Sequence, residues 1–151
     1  GRPGHSFEAV VIGWTDQAII DLLWLHGPAG IQPYGNVSGT ALDSSGHSHP
    51  ISFSRPVDVD VWLELDLEIA TDFPIDGDAL VLAEVLAWGQ GLQIGQDLRS
   101  WRLERVIETD GIENLTLRWG TAASPTTDDP ITIPGAGIAK LDSARVLIRH
   151  V

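Results

Sequence analysis

The sequence has no cysteine, no methionine and only one lysine. Without cysteine it has no disulfide, no zinc–thiolate site and no cysteine nucleophile. It lacks any apolar run near the ~20 residues that a helix needs to span a bilayer, and its first residues have no apolar stretch typical of a signal peptide. Because an initiator methionine is also missing, we expect the chain to be a piece of a longer protein or a processed product.

Basic side chains are scarce. The 151 residues include 9 Lys and Arg against 21 Asp and Glu, a net charge of −12. Such a chain does not bind nucleic acid by neutralising phosphates, and we expect neither a nucleic-acid nor a membrane partner. With 43% hydrophobic residues it has enough apolar surface to fold, which excludes a disordered acidic tail. A chain of this length forms one domain or two small ones.

The negative charge is concentrated in the middle of the chain. Residues 56–98 contain ten acidic side chains and no Lys, Arg or His. One interpretation is an acidic surface that meets a basic partner, because complementary fields steer association. The other, which we favour, is that excess carboxylate keeps the protein soluble in a salty or crowded cytosol.

The clearest local pattern runs from Val57 to Ile69. All seven odd positions are aliphatic and five of the six even positions are acidic. Since side chains alternate between the two faces of a strand, this pattern predicts a long strand with one buried and one wet face, typical of an antiparallel or mixed sheet. Trp62 interrupts the acidic face. It either covers a neighbouring strand or anchors another chain.

The remaining periodicities and turn residues predict an α+β protein made of two small units that join at Arg55–Pro56. The first unit, residues 1–55, has the order β-α-β-β, and the second, residues 56–151, has the order β-α-α-β-β-β. In both, antiparallel or mixed sheets pack against helices. Strands are predicted at 7–13, 37–42, 50–54, 57–69, 113–119, 131–133 and 144–151, and helices after Thr15 or Asp16, at 79–88 and at 98–108.

No motif for chemistry emerges. His47 and His49 lie two residues apart, but a metal site needs at least a third ligand and Asp43 is the only nearby candidate, so a surface turn is the better interpretation. The GxGxxxG run at 89–95 has one residue too many for a dinucleotide fingerprint and follows a predicted helix. No GxSxG elbow or phosphate-binding loop is present. We predict no catalytic residue, no cofactor and no metal.

Two ordered sets of motifs resemble a known family. The first begins with GHSFEAVVIG at 4–13 and continues after a short helix through GPAGI at 27–31, YGN at 34–36, the turn at 43–46 and FSRP at 53–56. The second comprises IGQDL at 94–98, GI at 111–112 and IAKLD at 138–142 before a final strand. In this order they resemble the C-terminal half of the baseplate J-like proteins of contractile-tailed phages and prophages, and the resemblance covers nearly the whole chain.

The resemblance implies a structural role. Members of this family are wedge components of the tail baseplate, with relatives in phage-like contractile injection systems. The implied location is the virion baseplate, assembled in the bacterial host cytoplasm. The implied partners are other wedge, hub or tail-fibre attachment proteins, with a homo-oligomer as a further option. The family brings no catalytic residues, so we predict that the chain is not an enzyme.

Residue types suggest where such contacts lie, because Trp, Tyr and Arg dominate interface hot spots. The candidates are Trp62 on the acidic face, Tyr34 in a Pro/Gly loop, and a helix face made of Arg99, Arg102 and Arg105. The alternative for the arginines is pairing with Glu104 and Glu108 along their own helix. Two other function classes stay open: a stand-alone binding domain for a glycan or a basic protein, and a hydrolase with an unrecognised site.

Overall fold

The computed structural model describes residues 3–151. The chain divides into two compact units, one ending at Pro56 and the other spanning Val57–Val151, so the boundary lies one residue from the predicted joint. Helices pack with small sheets in each unit, and the α+β class is confirmed. No helix within the described residues is long and apolar enough to cross a membrane.

Unit 1, as we call the part up to Pro56, contains one helix and two small sheets. A parallel pair joins β1 to β2, and an antiparallel hairpin joins β3 to β4. The elements are β1 (Ser6–Glu8), α1 (Asp16–His26), β2 (Gln32–Tyr34), β3 (Val37–Leu42) and β4 (Ser48–Phe53).

The helix α1 begins where the sequence predicts. The Thr15 side chain accepts a hydrogen bond from the Ala18 N–H, which satisfies one of the free donors of the first turn, and Gly27 ends the helix. One face of α1 buries Ile19 and Ile20, which pack with Phe53 and neighbouring residues of the hairpin. Burial of this apolar face, more than intrinsic propensity, stabilises so short a helix.

Unit 2, residues 57–151, is built on one mixed sheet with the strand order β6-β5-β7. The central strand β5 is antiparallel to β6 and parallel to β7. The elements are β5 (Val57–Ile69), α2 (Gly77–Gln90), α3 (Ser100–Glu104), β6 (Ile112–Gly120) and β7 (Gly137–His150).

The aliphatic positions of β5 form the centre of the unit 2 core. Val61, Leu63, Leu65 and Leu67 are fully buried and belong to one cluster with Val81 of α2. The alternation of the sequence therefore places one side of the strand under the helix layer. The acidic positions are left on the other side.

Unit 1 has one strand more than predicted, because 32–34 forms β2 although it contains Pro33. A proline lacks the N–H that a ladder needs, but it is tolerated in an edge strand, and here it lies opposite Phe7 of β1. The predicted strand at 7–13 is shorter than expected. Regular pairing ends at Glu8, and only an isolated bridge joins Val10 to Ser54.

Unit 2 has one strand fewer than predicted. Residues 131–133 make only an isolated bridge between Ile131 and Leu98, and the N–H of Ile133 donates to the Asp97 carboxylate and not to a neighbouring strand. The bridge at Leu98 and the extended Arg99 delay the start of the predicted helix at 98–108, which spans only the five residues of α3. The last strand begins earlier than the predicted 144 and includes 137–141.

Candidate functional site

The acidic face of β5 is met by cations from the neighbouring strands. Arg118 of β6 lies between two carboxylates, with its Nη2 2.6 Å from Asp66 Oδ2 and 3.6 Å from Glu64 Oε2. The hydrogen bond to Asp66 raises the pKa of Arg118, and the Coulomb attraction of Asp66 and Glu64 adds to this shift. An arginine is a cation in proteins regardless of its surroundings, so Arg118 places a positive charge between Asp66 and Glu64 at the centre of this face.

The opposite neighbour, β7, supplies the remaining cations. Arg149 Nη1 lies 2.9 Å from Glu64, Arg145 Nη2 lies 2.9 Å from Asp60, and Lys140 Nζ lies 3.9 Å from Asp58. We call this set the charge ladder. It consists of Asp58, Asp60, Glu64 and Asp66 of β5 with Arg118, Lys140, Arg145 and Arg149. The predicted open acidic surface is therefore largely neutralised by basic residues of the same sheet.

Trp62, the predicted interface anchor, lies within the charge ladder. It pairs with Gly120 of β6. The Arg145 guanidinium carbon lies 5.5 Å from the centre of that ring, a cation–π distance. A shallow concavity of about 300 Å³ adjoins Trp62, with Pro125 and Leu147 on its walls. Trp62 is half-buried and contacts its own sheet.

Arg145 reaches Trp62 because β7 bulges at this point. Val61 pairs with Leu141 and Leu63 pairs with Val146, so the register places four residues of β7 opposite Trp62 alone. The Asp142 carboxylate accepts a hydrogen bond from the Ala144 N–H and shapes this bulge. A bulge of this kind redirects a side chain relative to a regular strand.

The predicted Arg99–Arg102–Arg105 helix face is only partly formed. Only Arg102 lies inside α3, whereas Arg99 and Arg105 flank it as the residues at its two ends. Within residues 3–151, none of the three makes an ion pair with Glu104 or Glu108, so the alternative of pairing along the helix is not observed. Arg102 instead lies over the Trp101 ring, 5.4 Å from its centre.

Tyr34 lies in the short strand β2 and not in the predicted Pro/Gly loop. It pairs with Glu8 of β1 and remains exposed. Its role as an interface residue stays a prediction.

The turn at 43–46 brings Asp43, His47 and His49 together, as their spacing suggested. Asp43 Oδ1 accepts hydrogen bonds from the Ser45 and His47 N–H groups, while its Oδ2 lies 3.1 Å from His49 Nε2. The bond to His49 is the main cause that lowers the pKa of Asp43 to about 2. No group of three or more His, Cys, Asp or Glu among residues 3–151 is arranged to hold a metal ion.

His49 links this turn to α1. Its ring stacks on Trp24, with centroids 4.0 Å apart and an interplanar angle of 16°. One face of the Trp24 ring is thereby occupied, and Trp24 also lines an adjoining groove.

This groove, the α1 groove, lies at the C-terminal end of α1 and has a volume of about 390 Å³. Its walls are almost entirely apolar. Its lining includes Phe7, Leu23, Trp24, Pro28, Ile31 and Pro33. The sequence predicts no functional role for these residues, and GPAGI at 27–31 enters only among the motifs of the family resemblance.

A second feature that the sequence did not reveal lies before α1. The guanidinium of Arg55 donates to the carbonyl oxygens of Val11, Gly13 and Trp14 at 3.1, 2.7 and 3.0 Å, and to Asp16 Oδ1 at 2.6 Å. Gly13 and Trp14 are both left-handed, with φ of 72° and 52°. We call residues 11–14 the Trp14 loop. Trp14 is 71% exposed.

No protein-family model matches this sequence, and no curated protein matches it either.

Proposed function

We propose that the chain is a structural module of a contractile-tail baseplate, a wedge component of a phage or prophage virion that is assembled in the bacterial cytoplasm and performs no catalysis. The ordered motifs that resemble the baseplate J-like proteins motivate this proposal. Two compact α+β units are the form expected of building blocks whose surfaces dock to neighbouring proteins.

The observation that carries the proposal is the charge ladder. Glu64 and Asp66 have side chains only 13% and 16% exposed, and both contact Arg118 and Arg149 from the two flanking strands. These ion pairs join all three strands across one face of the sheet. Side chains that the sequence left open as a binding surface for a basic partner therefore cross-link the strands and stiffen the unit.

The same observation ranks the alternatives. A stand-alone domain for a basic protein would have to displace the four cations that already occupy the acidic face. A hydrolase acting through these carboxylates would have to release them from the same guanidinium groups. A structural module needs no rearrangement of these carboxylates or of the cations paired with them.

The proposal is tested by locating the protein in tail particles. Antibodies raised against the chain should label particles purified from the source organism by immunoelectron microscopy, with the label at the baseplate end of the tail. Antibodies pre-absorbed with the purified chain serve as the control. Purified contractile particles that carry no label, or label along the sheath alone, would contradict the proposal.

A further inference from the structure

The outer edge of β7 is open in the second half of the strand. Within residues 3–151, β7 pairs with β5 alone. Gly137 at its start accepts a hydrogen bond from the Gly95 N–H, but no second strand among the described residues lies beside 145–150, which we call the β7 edge. The outer edge of β6 is partly covered, because the Trp119 N–H donates to the Thr127 carbonyl of the following loop. An uncovered edge is a template for an additional strand.

One hydrogen bond shows which backbone groups of the β7 edge point outward. The Val151 N–H donates to the Leu67 carbonyl of β5, and successive residues of a strand direct their N–H and C=O groups to opposite sides. Every second residue before Val151 therefore also faces β5, and the residues between them face away. The residues that face away are Val146, Ile148 and His150. Each of them offers one N–H donor and one carbonyl acceptor to a further strand.

The helix α2 packs along β7 and flanks this edge. Asp78 near its start is ion-paired with the last residue of β7 at 2.7 Å, and a Cβ at Gly89 near its end would approach the Leu141 side chain to 2.9 Å. Positions i, i+4, i+8 and i+11 share one side of a helix. The other members of this row, Leu82 and Leu86, are partly exposed and are not among the described residues that pack against the unit 2 core cluster. They leave apolar surface beside the β7 edge.

The two faces of the β7 edge differ in chemistry. On the core face, Val146 and Ile148 pack against the unit 2 core cluster. On the face of the charge ladder, Leu147 and Arg149 are exposed, and Arg145 adds a second positive charge. Residues 140–150 contain three Lys and Arg against one Asp, although unit 2 as a whole is acidic. A strand that pairs here therefore meets apolar surface on one face and cations on the other.

The strand β5 shows which sequence fits beside β7. Its aliphatic positions pair with Val146 and Ile148 on the core face, and Asp66 pairs with Arg149 on the other. A second copy of β7 fits less well. An antiparallel pair centred on Leu147 would place arginines of the two copies opposite each other, and like charges in that arrangement are destabilising. The charges therefore favour a strand of another protein over self-pairing.

We propose that the β7 edge binds an extended segment of a partner protein in which aliphatic and acidic residues alternate. The segment pairs with the outward-facing backbone groups. Its aliphatic side chains pack against Leu82 and Leu86 of α2, and its acidic side chains lie beside Arg149. Backbone hydrogen bonds supply affinity in such a complex, and the alternating side chains select the sequence. The inference rests on unit 2 alone and is independent of the proposed baseplate location.

The probe is a capped synthetic peptide, Leu-Glu-Leu-Asp-Leu-Glu, which has the sequence of residues 63–68. Added to the whole chain, it should slow hydrogen exchange, measured by NMR, at the N–H groups of Val146, Ile148 and His150. Exchange at Leu147 and Arg149, which face β5, should stay unchanged, because the peptide adds to the sheet without displacing a strand. A peptide with lysine at each acidic position should bind about tenfold more weakly, since like charges repel.

Two variants of α2 test the apolar side of the site. Leu82→Lys should raise the dissociation constant of the acidic peptide about tenfold, because it places a charge where the aliphatic side chains pack. Leu80→Lys is the matched control, since it makes the same change on the side of α2 away from β7 and should leave binding unchanged. If Leu82→Lys fails to fold by circular dichroism, Leu86→Lys replaces it.

Four results would each overturn the inference. They are no binding of the acidic peptide at millimolar concentration, equal binding of the lysine peptide, protection confined to other N–H groups, and a folded Leu82→Lys or Leu86→Lys variant that binds like the wild type. Exchange at the β7 edge that slows with chain concentration in the absence of peptide would instead identify a second copy as the occupant and would also contradict it. None of these outcomes bears on whether the protein lies in the baseplate.

Discussion

Arg118 donates a 2.6 Å hydrogen bond to Asp66 across the β5–β6 pair, and Arg149 lies 3.7 Å from the other oxygen of the same carboxylate. That second oxygen, Oδ1, is buried and accepts no hydrogen bond from any described residue. Asp66 is thus held by charge on both sides, with only one of its oxygens hydrogen-bonded. It is the position in the charge ladder most sensitive to substitution.

Asp66→Asn should destabilise unit 2 by about 1–2 kcal/mol, because the amide keeps the shape of the side chain but removes the charge between two arginines. Urea unfolding monitored by circular dichroism measures this effect. Asp58→Asn is the matched control. Its ion pair with Lys140 is exposed and 3.9 Å long, so its effect should stay within about 0.5 kcal/mol. Equal effects of the two substitutions would contradict the structural importance of the ladder centre.

The Asp43 carboxyl should titrate with a midpoint near 2, well below the ordinary value of 3.8, because His49 and two backbone N–H groups bind its charged form. Since the folded pKa is depressed, the stability that this site contributes is complete above about pH 4 and is lost as the pH falls through 2. NMR titration of the side-chain carboxyl carbon tests this. His49→Ala should move the midpoint upward, and an unchanged midpoint would show that His49 is not the main cause.

Leu65→Ala should destabilise unit 2 by about 2–5 kcal/mol, because Leu65 is fully buried in the cluster under β5 and the substitution leaves a cavity. Thermal or urea unfolding gives the value. Leu80→Ala in α2 removes the same side chain from a position that is 43% exposed, and it should cost far less. A comparable loss of unfolding free energy for the two variants would contradict the burial of Leu65 in the core.

On the proposed baseplate role, with Trp62 as an interface residue, Trp62→Ala should weaken oligomer or wedge assembly while leaving the chain folded. The Arg145–Asp60 ion pair, 2.9 Å long, does not include the indole, so we expect the sheet to remain intact in circular dichroism. Analytical ultracentrifugation of the chain, alone and mixed with a wedge partner, measures assembly. Trp101→Ala is the comparison variant. Unchanged assembly would leave Trp62 with only its contacts to its own sheet.

The sequence predicts the fold best where one physical rule acts alone. The strict alternation of β5 determines its faces, and the structure reproduces its limits of Val57 and Ile69. The errors arise where a contact distant in sequence decides the outcome. The Asp97 side chain accepts a hydrogen bond from the Ile133 N–H, and the bridge between Leu98 and Ile131 delays the start of α3. No local pattern near residues 98–133 reports either contact.

The candidate surfaces show the same division. The sequence placed the carboxylates of β5 on one face, but it did not show which strands would lie beside them, so the pairing with Arg118 and Arg149 was hidden. Likewise Trp14 and Arg55 are 41 residues apart. Gly13 is the one neighbour of Trp14 whose residue type suggests a left-handed backbone. Glycine also occurs in ordinary turns, so it does not indicate that Trp14 itself is left-handed.

The parallel pairing of β5 with β7 has a consequence for biosynthesis. Leu67 of β5, the middle strand of unit 2, pairs with His150 of β7, which lies 83 positions later in the sequence. Unit 1 closes its core with residues no later than Phe53. During translation the first unit can therefore fold while the ribosome is still making the second, whose sheet reaches its final form only after residue 150 has emerged.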